Sequence, residues 1–168
     1  MYGDKYVEEE KLTYINILIS ILKKKEDLLK KLKAETDKQA DLIAESEFDP
    51  DAFDATISKK QEYIDSLLQL DDGFMDIYSK VKETMKNNSS DYRPEIEEAK
   101  KLIKRQTELS VELQSLESKN QTGLAIHLSR GKQKVREFKT SSKTAAAYYK
   151  SMTNHHQDGD SYFLDRKK

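Results

Sequence analysis

Cysteine and tryptophan are absent from this sequence, and proline and glycine are scarce, at 2 and 5 of 168 residues. Without cysteine there is no disulfide scaffold, no thiolate metal site and no cysteine nucleophile. So few turn formers cannot supply the many reversals of a sandwich, a barrel or a doubly wound sheet, which leaves a few very long helices. Long apolar runs are also missing. The greasiest stretch, Tyr14 to Leu22, is interrupted by Asn16 and Ser20, far short of the roughly 20 residues that cross a bilayer. Asp4, Glu8, Glu9 and Glu10 give the first residues the wrong sign for a secretory leader. The expectation is a soluble, cytoplasmic protein without membrane insertion. Charge of one sign is lacking too: Lys+Arg 30 against Asp+Glu 31 gives a net charge of −1, without the basic excess of a nucleic-acid binder. What is abundant is charge of both signs, 36% of residues, beside 36% hydrophobic residues. That is the balance of amphipathic helices.

Hydrophobic spacing divides the chain. Ile15, Leu18, Leu22, Lys25, Leu29, Leu32, Thr36, Gln39 and Ile43 recur at alternating steps of three and four. This is a heptad seam, apolar in its first half and diluted in its second, and it predicts a helix over roughly 6–46. Tyr14, Ile21 and Leu28 widen the stripe, as expected of a helix that meets two neighbours. Phe48-Asp49-Pro50-Asp51 is the first break. Pro50 disfavours a helical Asp49, which then serves as N-cap with proline at the first helical position. The second helix, roughly 50–86, carries Phe53, Ile57, Ile64, Leu67, Phe74, Tyr78, Val81 and Met85, with Asp71-Asp72-Gly73 as a weak spot or kink. After Asn87-Asn88-Ser89-Ser90-Asp91, a third helix is expected over roughly 92–150, its stripe running from Ile96 through Leu113 to Phe138 and the Ala145-Ala146-Ala147 run. Three long helices joined by two short connections give an all-α, elongated antiparallel three-helix bundle or coiled coil over 1–150. Residues 151–168 read as a flexible polar tail with a short aromatic motif.

Catalytic and metal-binding constellations fail on spacing. Counting a calcium loop from Asp49 puts Asp54 where glycine is required and Lys60 where the bidentate glutamate belongs, so Asp49, Asp51 and Asp54 are helix-capping acids. His155-His156, with Asp158 and Asp160, is not preorganised in a tail. His127 reads as a boundary histidine on the apolar face. There is no Gly-rich phosphate loop and no nucleophile elbow. An enzyme is not expected, and no cofactor or metal is implied.

Two features rise above this background. From Arg130 to Lys150, seven cations face the single acid Glu137, which suits an acidic partner surface or an ordinary solvated helix face. Beyond the main stripe, Tyr148-Tyr149 with Met152, and then Tyr162-Phe163-Leu164, are aromatic and methionine side chains bordered by charge, as in a segment that orders on a partner.

Residues 139–152 (KTSSKTAAAYYKSM) and 161–168 (SYFLDRKK) resemble the C-terminal end of FlgN/FliT-type flagellar proteins of Gram-positive bacteria, with FlgN favoured. The Phe48-Asp49-Pro50-Asp51 turn, the Leu70-Asp71-Asp72-Gly73-Phe74 step and the Glu108-Leu109-Ser110 stretch are similar to the same group. The resemblance implies a small cytoplasmic type III export chaperone. Such a protein holds flagellar hook-associated subunits of the hook–filament junction soluble and delivers them to the export gate. No small molecule or nucleic acid is implied, and the chaperone is expected as a monomer or homodimer. On this reading Val135, Phe138, Ala145, Tyr148, Tyr149 and Met152, with Tyr162, Phe163 and Leu164, are the protein-binding residues. Tyr149→Ala is then expected to weaken partner binding and spare stability. The alternative is a self-associating structural coiled-coil protein with no chaperone role. A nucleic-acid-binding arm is a third possibility, disfavoured by the near-neutral charge.

Overall fold

The computed structural model describes the backbone of residues 2–87, 92–127 and 132–164, and the side chains of 9–10, 12–83, 92–127 and 138–154. Four helices follow in order: α1 (Tyr2–Ala44), α2 (Pro50–Asn87), α3 (Arg93–His127) and α4 (Lys132–Leu164). No strand is present among the described residues, so the chain is all-α. At 43 residues α1 is the longest helix, about 65 Å at 1.5 Å per residue.

The seam of α1 folds as its spacing dictates. Ile15, Leu18, Leu22, Lys25, Leu29, Leu32, Thr36 and Gln39 are all buried, and Ile43 packs partly buried at the far end. Asp49 caps α2: its Oδ1 accepts from the backbone N–H of Asp51 at 3.1 Å and of Ala52 at 3.2 Å, which satisfies two donors that lack a partner within the helix. Past that cap α2 is unbroken. The expected weak spot at Asp71-Asp72-Gly73 does not interrupt it, because Asp71 is held by Lys25 of α1 at 2.6 Å.

The single helix expected over 92–150 is two. α3 runs intact through Asn120-Gln121-Thr122-Gly123 and ends at His127, and α4 begins at Lys132. Asn120 Nδ2 donates to the Thr36 carbonyl at 3.0 Å. A Cβ at Gly123 would sit 2.8 Å from Ile43 Cγ2, so glycine there admits the close approach of α1. The division into two helices has a hydrophobic cause. A straight continuation would carry Phe138, Ala145, Tyr149 and Met152 beyond the bundle into water, whereas a helix that folds back along α3 buries them. The backbone of α4 continues helical to Leu164, so residues 151–164 prolong it rather than form an irregular tail.

Cross-helix contacts fix the topology. Gln106 to Leu22, Arg105 to Glu26, Lys33 to Glu112 and Asn120 to Thr36 advance together, so α1 and α3 lie side by side and parallel. Lys25 to Asp71 and Gln39 to Lys60 run in opposite senses, so α1 and α2 are antiparallel. α4 returns along α3, and α2 meets α4 only sparsely. The helices thus form a ring in the order α2, α1, α3, α4, with three packed seams and one loose one. Three apolar clusters fill it. Ile15, Leu18, Leu22, Phe74, Val81, Leu102 and Ile103 form an end built by α1, α2 and α3. Leu29, Leu32, Ile64, Leu67 and Leu113 join α4 at the middle. Phe53, Leu124 and Phe138 close the other end.

Candidate functional site

α4 carries the residues that the sequence marks for partner binding, and its spacing is heptad-like. Phe138, Ser142, Ala145, Tyr149 and Met152 form one ridge. That ridge faces inward. The Phe138 ring lies 4.9 Å from that of Phe53, edge to face. Ala145, Tyr148, Tyr149 and Met152 pack with Leu29, Leu32, Ile64, Leu67 and Leu113, and Tyr149 is 0% exposed. The expectation of a free, sticky terminal segment is therefore corrected: Phe138, Ala145, Tyr148, Tyr149 and Met152 belong to the interior of the folded chain. Apolar surface on a helix that can reach a hydrophobic groove is driven into it, whatever else it could bind. The side chains of Val135, Tyr162, Phe163 and Leu164, and the His155-His156 pair, lie outside the described residues. Of the basic stretch, Lys139, Lys143 and Lys150 are exposed. His127 is exposed as well, its ring stacked 6.2 Å from Phe48.

Two polar clusters fasten α4, the first buried and the second half-buried. In the first, Lys60 Nζ donates to Glu117 and to Gln39 Oε1 at 3.0 Å, while Ser142 Oγ of α4 donates to Glu117 Oε2 at 2.9 Å. Burial pushes the Lys60 ammonium below its ordinary range, against the pull of Glu117. In the second, Asp71 is bound by Lys25 at 2.6 Å and accepts from the Tyr148 hydroxyl at 2.9 Å. Lys25 also lies 5.1 Å from the centroid of the Phe74 ring. Burial, then the Asp71 charge, pushes the Tyr148 hydroxyl up, and burial with Glu117 nearby does the same to Tyr149. The Tyr149 hydroxyl is buried with no hydrogen-bond partner.

Sequence reasoning passed over Lys60, Gln106, Ser110, Glu117 and Ser142, all of them buried. The signal was present. Extending the heptads of α2, α3 and α4 through their polar positions, instead of tracking only apolar residues, lands on each of them.

The loose seam between α2 and α4 is concave beside this ridge. Two depressions lie along it, of about 740 Å³ between Ile57–Asp65 and Thr140–Thr144 and about 250 Å³ between Leu68–Met75 and Tyr148–Met152. Among the described residues no group of three or more His, Cys, Asp or Glu could hold a metal ion, and no helix is long and apolar enough to cross a membrane. The chain matches no protein-family model, no curated protein and no solved structure.

Proposed function

We propose that this chain is a FlgN/FliT-type flagellar export chaperone, closer to FlgN. In this reading it works in the cytoplasm, binds hook-associated subunits, keeps them soluble and delivers them to the export gate. It carries out no catalysis.

The reading is supported by the resemblance of residues 139–152 and 161–168, together with one structural observation. α4, which bears the first of these segments, supplies described residues to two of the three apolar clusters but not to the third, and in this reading it is the layer that lifts. Among the described residues, the cluster of Ile15, Leu18, Leu22, Phe74, Val81, Leu102 and Ile103 includes none from α4, so in this reading α1, α2 and α3 keep a core when α4 lifts. Lifting would uncover Leu29, Leu32, Ile64, Leu67 and Leu113, a groove able to take an amphipathic cargo helix. The freed ridge of Phe138, Ala145, Tyr148, Tyr149 and Met152 becomes available at the same time. The free energy of detaching α4 is subtracted from the cargo affinity, which suits a chaperone that must also release.

The test is titration calorimetry of the full chain with a purified hook-associated subunit, alongside limited proteolysis of that subunit. A stoichiometric complex that protects the subunit's terminal helices is expected. Absence of a complex with every hook-associated subunit tried overturns the proposal. Self-association as a structural coiled coil is a second reading, favoured by Val111 and Ile126, apolar residues of α3 that are 55% and 74% exposed. A tight homodimer in sedimentation equilibrium, with no subunit binding, would favour it.

A further inference from the structure

The seams of this bundle differ in how their rims are charged. Along the packed α1–α3 seam, Lys23 pairs with Glu98, Arg105 with Glu26, and Lys33 with Glu112. Along the loose α2–α4 seam the α2 rim carries Glu62, Asp65 and Asp72, all exposed. None of these three is in an ion pair among the described residues. The opposite rim is hydroxylic, with Thr140, Ser141, Thr144 and Ser151. Between the rims Leu68 and Met75 are half exposed, next to the buried edges of Phe74 and Met152.

Floor and rim are in register. Asp65, Leu68, Asp72 and Met75 follow one another at steps of three and four, so acid and apolar group alternate along one strip of α2. From Ile57 to Met75 the strip runs about 27 Å at 1.5 Å per residue, the length of a five-turn helix.

We propose that the α2–α4 seam, with α4 in place, is a docking groove for an amphipathic helix of another protein that carries lysine or arginine along one edge. Its apolar ridge would cover Leu68 and Met75, and its basic edge would face Glu62, Asp65 and Asp72. This completes the charge pairing that the α1–α3 seam already has. A second copy of the chain fits poorly. A two-fold contact through this strip would set the acidic rim against another acidic rim, which repels, or against a hydroxylic rim, which leaves the acids without cations. The groove differs from the one that α4 would vacate, and it does not depend on a flagellar subunit being the cargo.

The test uses the full chain and two fluorescein-labelled synthetic helices with leucines at heptad spacing, one with a lysine edge and one with glutamate in its place, read by fluorescence anisotropy. The lysine helix should bind roughly tenfold more tightly, as a few partly exposed charge pairs warrant, and the difference should shrink in high salt. Leu68→Asp should abolish binding although it adds negative charge, which separates docking from general attraction to an acidic surface. The double variant Asp65→Lys, Asp72→Lys should reverse the preference and favour the glutamate helix, a gain that misfolding cannot mimic. Equal binding of both helices, binding of neither, or indifference to Leu68→Asp overturns the proposal. So does a concentration-dependent homodimer that Leu68→Asp dissolves, since that assigns the groove to a second copy.

Discussion

Lys60 of α2 and Glu117 of α3 meet across the diagonal of the bundle, and around them one polar layer touches all four helices. Glu117 is 1% exposed; it takes the Lys60 ammonium on one oxygen and the Ser142 hydroxyl of α4 on the other. Gln39 of α1 accepts from the same ammonium. Apolar seams can slide by a heptad at little cost, whereas a layer of paired charges is satisfied in one register only. The layer also separates the middle apolar cluster from the one around Phe53, Leu124 and Phe138.

Glu117→Ala should therefore destabilise the fold by about 3–5 kcal/mol, because it strands a buried ammonium and frees Ser142. Replacing both partners, Lys60→Met with Glu117→Leu, should recover most of that loss or exceed it. Urea denaturation of the two variants checks this. A single-variant loss under about 1 kcal/mol would mean that the pair is solvated.

Tyr149 separates packing from polarity. Tyr149→Ala should cost about 3–5 kcal/mol, the range for emptying an aromatic site in a core; the small effect expected of an exposed contact residue does not survive its burial. Tyr149→Phe should leave stability unchanged or raise it by up to about 1 kcal/mol, since it removes a buried hydroxyl that has no partner. Thermal melts of both variants distinguish the two effects.

Alkaline pH should unfold the protein through Tyr148 and Tyr149. Both hydroxyls are pushed above their ordinary value of 10.0, so above that pH the unfolded chain ionises where the folded chain resists. Their contribution is intact below pH 10 and is lost as pH rises beyond it. Lys60 acts in the opposite sense. Its value is lowered from 10.5, so it favours folding as pH rises toward 10.5 and adds nothing further above. Phenolate absorbance should show two tyrosines ionising only together with unfolding, and Tyr148→Phe with Tyr149→Phe should remove that step.

Two helical glycines should respond in opposite ways to alanine. At Gly73 the nearest atom to a new Cβ is Ile21 Cδ1 at 4.0 Å, so Gly73→Ala should stabilise by up to about 1 kcal/mol through helix propensity. At Gly123 the new methyl meets Ile43 Cγ2 at 2.8 Å. The Cγ2 methyl is carried directly on the β-carbon of a β-branched residue, whose χ1 is restricted in a helix, so Gly123→Ala should lose the gain and destabilise. Paired urea midpoints measure the contrast.

Periodicity and punctuation alone determined that the chain is helical, where α1 gives way to α2, and which side of α1 is buried. Those features are local: the Asp49-Pro50 cap and the alternation of Ile15, Leu18 and Leu22 act within a few turns. Tertiary structure decided what α4 does. Its aromatic ridge looks the same in sequence whether it awaits a partner or packs against Leu32, Ile64 and Leu113, since amphipathicity specifies a hydrophobic face but not what covers it. Heptad spacing puts Lys60 and Glu117 at seam positions, but that they pair with each other was decided by tertiary structure, because it depends on two residues 57 positions apart meeting across a diagonal.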